Sequence, residues 1–377
     1  MNRVRLLSHK LMLLSAAVFA LFCLPPRLLW AEADSNQQPV GDLTVASEHG
    51  CAVPTFAVPD TNCLPVACPL DYWVVSSRCC LQEMAPGCPS CDLQVFRYTA
   101  QTGLQRSSLP ELIAATSPSV PMAINVHGSF VSWEDILEQA GPTAGWLRRA
   151  APGKPLQMVF FTWPSDISVA PIPQITIDQL GRRAETNGRY LAGFLSCVPA
   201  NVRVSIIGHS HGARAAAAAM HLMAGGIVRG CHGGTCQGPS RVRLIFAAAA
   251  FNHDWLNHDG RYYCAINRTE CVLNLRTRCD AALLAYAIRW PISKRALGTT
   301  GFTGKDHADF GWQTTKLADC DVTPLLRVHH VWPYYYAQPQ IASWMAPYVH
   351  FLGEPAVGDE VSQTSGEASA TGELAFP

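Results

Sequence analysis

Gly208-His209-Ser210-His211-Gly212 sets one serine two places from a glycine on either side. A serine hydroxyl is a poor nucleophile at neutral pH. It becomes reactive beside a histidine base that a carboxylate orients. The flanks suit that chemistry: Val202, Val204, Ile206 and Ile207 make a β-branched run before the pentapeptide, and Ala213 to His221 an alanine-rich helix former after it. Strand, G-x-S-x-G, helix is a nucleophile elbow, a sharp turn that holds the serine above the end of a strand. Side chains in place of the two glycines would strike the neighbouring strand or helix. The competing reading is an ordinary β-to-α turn with Ser210 as a helix cap. Partners elsewhere in the chain decide between them.

In an elbow enzyme those partners follow in the order acid, then histidine. The acid belongs behind the second strand after the elbow, where Cys271-Val272-Leu273-Asn274-Leu275 leads through Arg276-Thr277-Arg278-Cys279 to Asp280. Asp280 also suits the N-cap of a helix beginning Ala281-Ala282-Leu283-Leu284. Its rival is Asp254, behind the preceding strand in Phe251-Asn252-His253-Asp254. The base is expected in Val328-His329-His330-Val331-Trp332-Pro333, at His330 or His329; His330 is favoured because His329 can still continue a strand. His209 and His211 lie in the turn itself, where they shape the pocket and cannot serve Ser210 as base. A tetrahedral intermediate needs N–H donors for its oxyanion. The backbone amide of His211 supplies one. The amide of Ser129, in Ile124-Asn125-Val126-His127-Gly128-Ser129-Phe130, supplies the other, with Gly128 permitting the close turn.

The elements that must position these residues are legible as apolar runs alternating with helical segments. Strands are expected at Tyr72–Ser76, Leu93–Tyr98, Pro121–Val126, Leu156–Thr162, Val242–Ala248, Cys271–Leu275 and, last, Leu325–Val328. Trp133–Ala150 and Ile177–Val198 carry the helical period. This alternation predicts an α/β fold: a mostly parallel central sheet with helices on both faces. The first two strands are expected as an antiparallel edge pair. Residues 353–377, rich in Gly, Ser, Thr, Ala and Glu, show no period and read as a tail without a core.

The succession His127-Gly128, Phe160-Phe161-Thr162-Trp163-Pro164-Ser165, Gly208-His209-Ser210-His211-Gly212, Asp280 and His330 resembles the bacterial alpha/beta hydrolases of unknown function, lipase- and esterase-like proteins. The resemblance covers residues 120–350, and Trp-Pro-Ser is its sharpest local match. It implies the α/β-hydrolase fold, a Ser-His-Asp triad and cleavage of carboxylic esters without metal or organic cofactor. The chain departs from the family where Ser129-Phe130 replaces a Tyr-Asn continuation after His-Gly, and in the spacing of Tyr334-Tyr335-Tyr336 after the histidines. Residues before 92 have no counterpart in it.

Bulk properties narrow the remaining classes. In 377 residues, 49% are hydrophobic and 15% charged, enough for a sizeable core. Lys plus Arg equals Asp plus Glu at 28 each, so no basic field attracts nucleic acid. Residues 1–33 read as a signal peptide: Arg3, Arg5 and Lys10 precede the apolar run Leu11–Leu24, and Ala31-Glu32-Ala33 offers small residues for cleavage. That run is shorter than the roughly 20 residues of a membrane span, so export with cleavage is the expectation, and an uncleaved signal anchor is the lesser alternative and the one way in which a membrane would be a partner. A linker (34–50), a cysteine-rich region (51–91) and the hydrolase domain (92–352) are expected to follow. Seven cysteines fall between Cys51 and Cys91 and seven between Cys197 and Cys320, which in an exported chain predicts disulfides. A small-molecule or lipid ester is the expected substrate, with Trp332 and the three tyrosines as either lipid contacts or packing. Two other readings stay open at this point: a binding or cell-surface protein that keeps the fold without turnover, and a triad that cleaves amide or peptide bonds.

Overall fold

The computed structural model describes residues 70–80, 92–166, 173–233, 237–286 and 294–352. Its strands are β1 (Asp71–Ser76), β2 (Gln94–Thr99), β3 (Gly103–Ser107), β4 (Met122–Val126), β5 (Gln157–Thr162), β6 (Arg203–His209), the two-residue pair β7 (Ile227–Val228) and β8 (Cys231–His232), β9 (Arg241–Ala247), β10 (Cys271–Arg276) and β11 (Leu317–Asp321). Nine of them form one sheet in the order β11-β10-β9-β6-β4-β5-β1-β2-β3. From β11 across to β1 every pairing is parallel.

Parallel strands are buried on both faces and so read as unbroken apolar runs. All five residues of β4 are buried, as are the last six of β6. Alternation then sends Met122, Ile124 and Val126 to one face and Ala123 to the other. The first face is covered by helices Pro173–Cys197 and His211–Met223, through Leu180, Ala184, Leu191, Phe194 and the alanine run. The second is covered by helices Trp133–Arg149 and Pro339–His350, through Ile136, Ala140, Leu147, Ile341, Met345 and Val349.

Register positions the site. Val126 lies opposite Gly208, His209 opposite Ala247, and Ala247 opposite Leu275. The carboxyl ends of β4, β6, β9 and β10 therefore finish level, and the loops leaving them meet at one edge of the sheet, where α/β proteins build their sites.

Three expectations change. The last strand is Leu317–Asp321, and Thr323–Leu326 is a helical turn opened by Pro324 and closed by Arg327 at φ 52°. The first two strands pair antiparallel as expected but do not end the sheet: β1 also runs parallel beside β5, and β3 adds a further strand outside β2. Because β1 precedes residue 92, the sheet reaches back into the cysteine-rich region. No disulfide joins two of the described cysteines. Apart from Cys79 and Cys80, the cysteines of residues 51–91, like Cys236, the signal segment, the linker and the tail, lie outside the described residues.

Candidate active site

Ser210 stands between β6 and the helix His211–Met223 with φ 53° and ψ −120°, a conformation costing on the order of 1–3 kcal/mol for a residue with a side chain. Its surroundings impose it. The Ser210 amide donates to the Ala247 carbonyl at 2.9 Å, and its own carbonyl accepts from Ala213 at 3.1 Å and Ala250 at 3.2 Å. The glycines meet the steric demand read from the sequence. A Cβ on Gly208 would lie 2.5 Å from the Ala213 Cα, and one on Gly212 2.1 Å from the Val126 carbonyl oxygen.

His330 Nε2 lies 3.0 Å from Ser210 Oγ, and His330 Nδ1 lies 2.7 Å from Asp280 Oδ2. Asp280 is fully buried and uses both oxygens, since Oδ1 accepts from the Leu283 amide at 3.0 Å. The carboxylate thus caps its helix and orients the imidazole at once. A carboxylate oxygen accepts, so Nδ1 carries the ring proton and Nε2 turns its lone pair to the serine hydroxyl. His329 is not brought to Ser210. Its amide donates to the Leu326 carbonyl and its ring stacks on Tyr334 at 3.8 Å. Asp254 is engaged elsewhere, with Lys294.

The two histidines beside the serine each tie it to a neighbouring loop. His209 Nε2 donates to the His330 carbonyl at 2.7 Å, and its ring packs against those of His330, Trp332 and Tyr335. Trp332 and Tyr335 are buried, and Trp332 Nε1 donates to Thr143 Oγ1 at 2.9 Å, so these two aromatics are packing that backs the loop carrying His330. On the other side, His211 Nδ1 and Ser129 Oγ are 2.7 Å apart.

The His127-Gly128 loop is held by the Trp-Pro-Ser run. His127 Nδ1 donates to the Gly128 carbonyl at 2.8 Å, leaving Nε2 to accept from the Trp163 amide at 3.1 Å and the Thr162 hydroxyl at 3.0 Å. Trp163 Nε1 returns a bond to the His127 carbonyl at 2.9 Å, and the Phe130 amide donates to the Ser165 carbonyl at 2.8 Å. A Cβ on Gly128 would come within 2.9 Å of Ser210 Cβ, so the loop lies directly on the serine. Burial holds the His127 imidazole down at about 3, with Arg78 nearby adding to it, and burial beside His330 does the same for His209, also about 3. Both rings are neutral at pH 7.

Two supports went unseen in the sequence. Arg78 donates to Thr162 Oγ1 at 2.9 Å and to the Val131 carbonyl at 2.7 Å, and pairs with Asp166 at 3.0 Å, so it ties the end of β5, where Thr162 also bonds His127, to the far end of the loop that carries Ser129. Under the elbow helix, fully buried Glu185 accepts from Arg214 Nη2 at 3.0 Å, from the Tyr262 hydroxyl at 2.5 Å and from Arg261 at 2.6 Å. Burial alone would raise the Glu185 carboxyl, but the two guanidinium groups and the Tyr262 hydroxyl together bring it below the usual carboxylate range. No local signal marks either support, because the partners lie far apart in the chain.

Among the described residues no helix is long and apolar enough to cross a membrane. No family model matches the sequence, and no curated protein matches it. Among solved structures the chain is similar to esterase B from Lactobacillus rhamnosis. The match to its crystal structure has 11% identity and a TM-score of 0.32, covering 72% of this chain and 82% of that one. A C4-C4 SN3 tributyrin phosphonate structure of the same esterase matches at 10% identity and TM-score 0.31, covering 75% and 83%. Likeness at that level carries no functional argument; the reading rests on the site's own geometry.

Proposed function

We propose that the chain is a serine hydrolase of the α/β-hydrolase type that cleaves carboxylic esters. Ser210 attacks the acyl carbon, His330 takes the hydroxyl proton and returns it to the leaving alcohol, and Asp280 steadies the imidazolium between those steps. Water then attacks the acyl-enzyme by the same route. The amides of His211 and Ser129 hold the oxyanion. The observation that carries this reading is the hydrogen-bonded line from Asp280 through His330 to Ser210, with the serine held at φ 53°. Such a line at a strained elbow is what nucleophilic acyl transfer requires. Export of the chain, and disulfides within residues 51–91, belong to the same proposal and rest on the sequence of the leader and the cysteine count.

A fluorophosphonate probe tests the core of it. Labelling at neutral pH that disappears in Ser210→Ala supports the enzyme, as does hydrolysis of short-chain nitrophenyl esters lost in the same variant. Folded wild-type protein that neither labels nor hydrolyses them would leave the fold without this chemistry.

A further inference from the structure

We propose that the Ser129 hydroxyl is itself an oxyanion donor, a third beside the two backbone amides, and that His211 is the positioning residue that turns it toward the oxyanion. The inference rests on the serine-hydrolase reading and deepens it. Its first support is placement. The loop carrying Ser129 is braced from behind by Trp163, Ser165 and Arg78 and lies against Ser210 at Gly128. The Ser129 side chain is half-buried, with its oxygen 2.7 Å from His211 Nδ1.

The second support is the direction of that hydrogen bond. It has two possible senses, and only one leaves the serine proton available. His211 turns its other nitrogen toward Gly181, and the guanidinium of Arg214 lies against the same spot. A Cβ at Gly181 would be 2.3 Å from Arg214 Nη1 and 3.3 Å from His211 Nε2. Arg214 is 2% exposed and anchored on Glu185, so a fixed, buried cation flanks that edge of the ring. A guanidinium carries donors only, and its positive charge favours a lone pair facing it over an N–H. The ring proton therefore sits on Nδ1, where it donates to Ser129 Oγ. Ser129 then has its own O–H directed away from the ring, toward the space in front of Ser210. The Arg214 charge acts on the ring through space, and the His211–Ser129 hydrogen bond polarises the serine hydroxyl in turn, which strengthens that donor when negative charge develops. Gly181 belongs to the device, since any side chain there would displace the arginine.

The test compares 4-nitrophenyl acetate with its thiono counterpart, whose tetrahedral intermediate places the charge on sulfur, a weak hydrogen-bond acceptor. In Ser129→Ala, kcat for the oxygen ester is expected to fall on the order of 10²-fold with KM little changed, as for loss of one oxyanion donor. The thionoester falls far less, so the oxygen-to-sulfur rate ratio collapses, and Ser129→Thr restores most of it. His211→Leu lowers the same ratio, and the double variant lowers it no further, because the two residues act as one unit. Equal falls for both esters would mark a packing effect and overturn the proposal, as would a ratio unchanged from wild type in a Ser129→Ala protein that melts normally. Fluorophosphonate labelling of Ser210 keeps the two levels apart. Wild-type protein that labels while Ser129→Ala leaves the ratio untouched defeats this inference alone; wild-type protein that does not label defeats the underlying reading with it.

Discussion

Acid should unfold this protein through two buried histidines that lie outside the line from Asp280 through His330 to Ser210. His127 and His209 are buried, and burial lowers each from 6.5 to about 3. In the unfolded chain both titrate near 6.5. Between those values the unfolded state binds more protons than the folded one, so stability rises with pH across the window and falls as pH drops through it. The slope for one such group is about 1.4 kcal/mol per pH unit. Integrated from pH 7 to pH 5, with allowance for the start of the unfolded titration, that is about 2 kcal/mol for each histidine and about 4 for the pair. His221, His329 and His350 are lowered as well, mainly by burial, and add in the same direction. Asp319, raised by burial, pulls the other way. Glu185, Asp306 and Asp321 are lowered and act only below the ordinary carboxylate range, beneath this window.

Urea unfolding of the intact chain at pH 7 and pH 5 measures the difference directly. His209→Asn isolates one contribution: the amide can still donate toward the His330 carbonyl, it does not titrate, and it should remove about 2 kcal/mol of the pH dependence. A stability that is level between pH 7 and pH 5 would refute the argument, and so would a His209→Asn protein with the full wild-type dependence. The consequence for activity is specific. His127 holds the loop that carries Ser129 and His209 holds the loop that carries His330. Acid inactivation should therefore track loss of structure, followed by tryptophan fluorescence, and run steeper than the titration of one imidazole.

Three further outcomes follow from the same geometry. In Gly212→Ala the new methyl would sit 2.1 Å from the Val126 carbonyl oxygen and 2.5 Å from that of His127, both backbone atoms; the helix must part from β4, and calorimetry should show about 2–3 kcal/mol lost or more, an unchanged melting temperature refuting it. Asp280→Asn can still cap Leu283 but no longer holds the productive tautomer of His330, so kcat should fall by about 10⁴ with little change in melting temperature; activity within tenfold of wild type would mean Asp280 only caps its helix. Arg78→Met removes the brace between Thr162, at the end of β5, and the Val131 end of the Ser129 loop, and fluorophosphonate labelling should slow by roughly 10²-fold, the effect of about 1 Å of misplacement; an unaltered labelling rate would show that the loop stands without it.

What could be read from the chain follows how far each signal reaches along it. The elbow is written in twenty consecutive residues, and strand, glycines, serine and helix all lie where local pattern places them. Asp280 and His330 were within reach because each ends a loop whose order along the chain is set by strand count. The strand before the histidines was misread for a physical reason. Leu317-Ala318-Asp319-Cys320-Asp321 has no apolar alternation, since Asp319 pairs across to Asn274 with a 2.7 Å hydrogen bond where a core strand would place hydrocarbon. The apolar Leu325–Val328 carries the stronger strand signal, although Pro324 suits the first turn of a helix. β3 was missed because Gly103-Leu104-Gln105-Arg106-Ser107 is a partly exposed edge with one apolar residue. Arg78 lies 84 residues from its partner Thr162, and no periodicity connects positions so far apart.

The bland and the functional readings of several residues turn out to describe the same atoms. Asp280 was weighed as a helix cap against an orienting acid, and its two oxygens do one task each. Trp332 and Tyr335 are core packing, and by packing on His209 they fix the histidine that grips the loop carrying His330. The reason is energetic. A serine held at positive φ and a buried carboxylate against an imidazole are each costly to maintain alone. They persist where the surrounding fold already demands the same positions, with a cap, a buried aromatic or a glycine contact supplying the constraint. A substitution that disturbs one of these shared atoms should then alter stability and turnover together, whereas one at Ser129, which is half-buried and whose hydroxyl bonds only His211 among the described residues, should separate them.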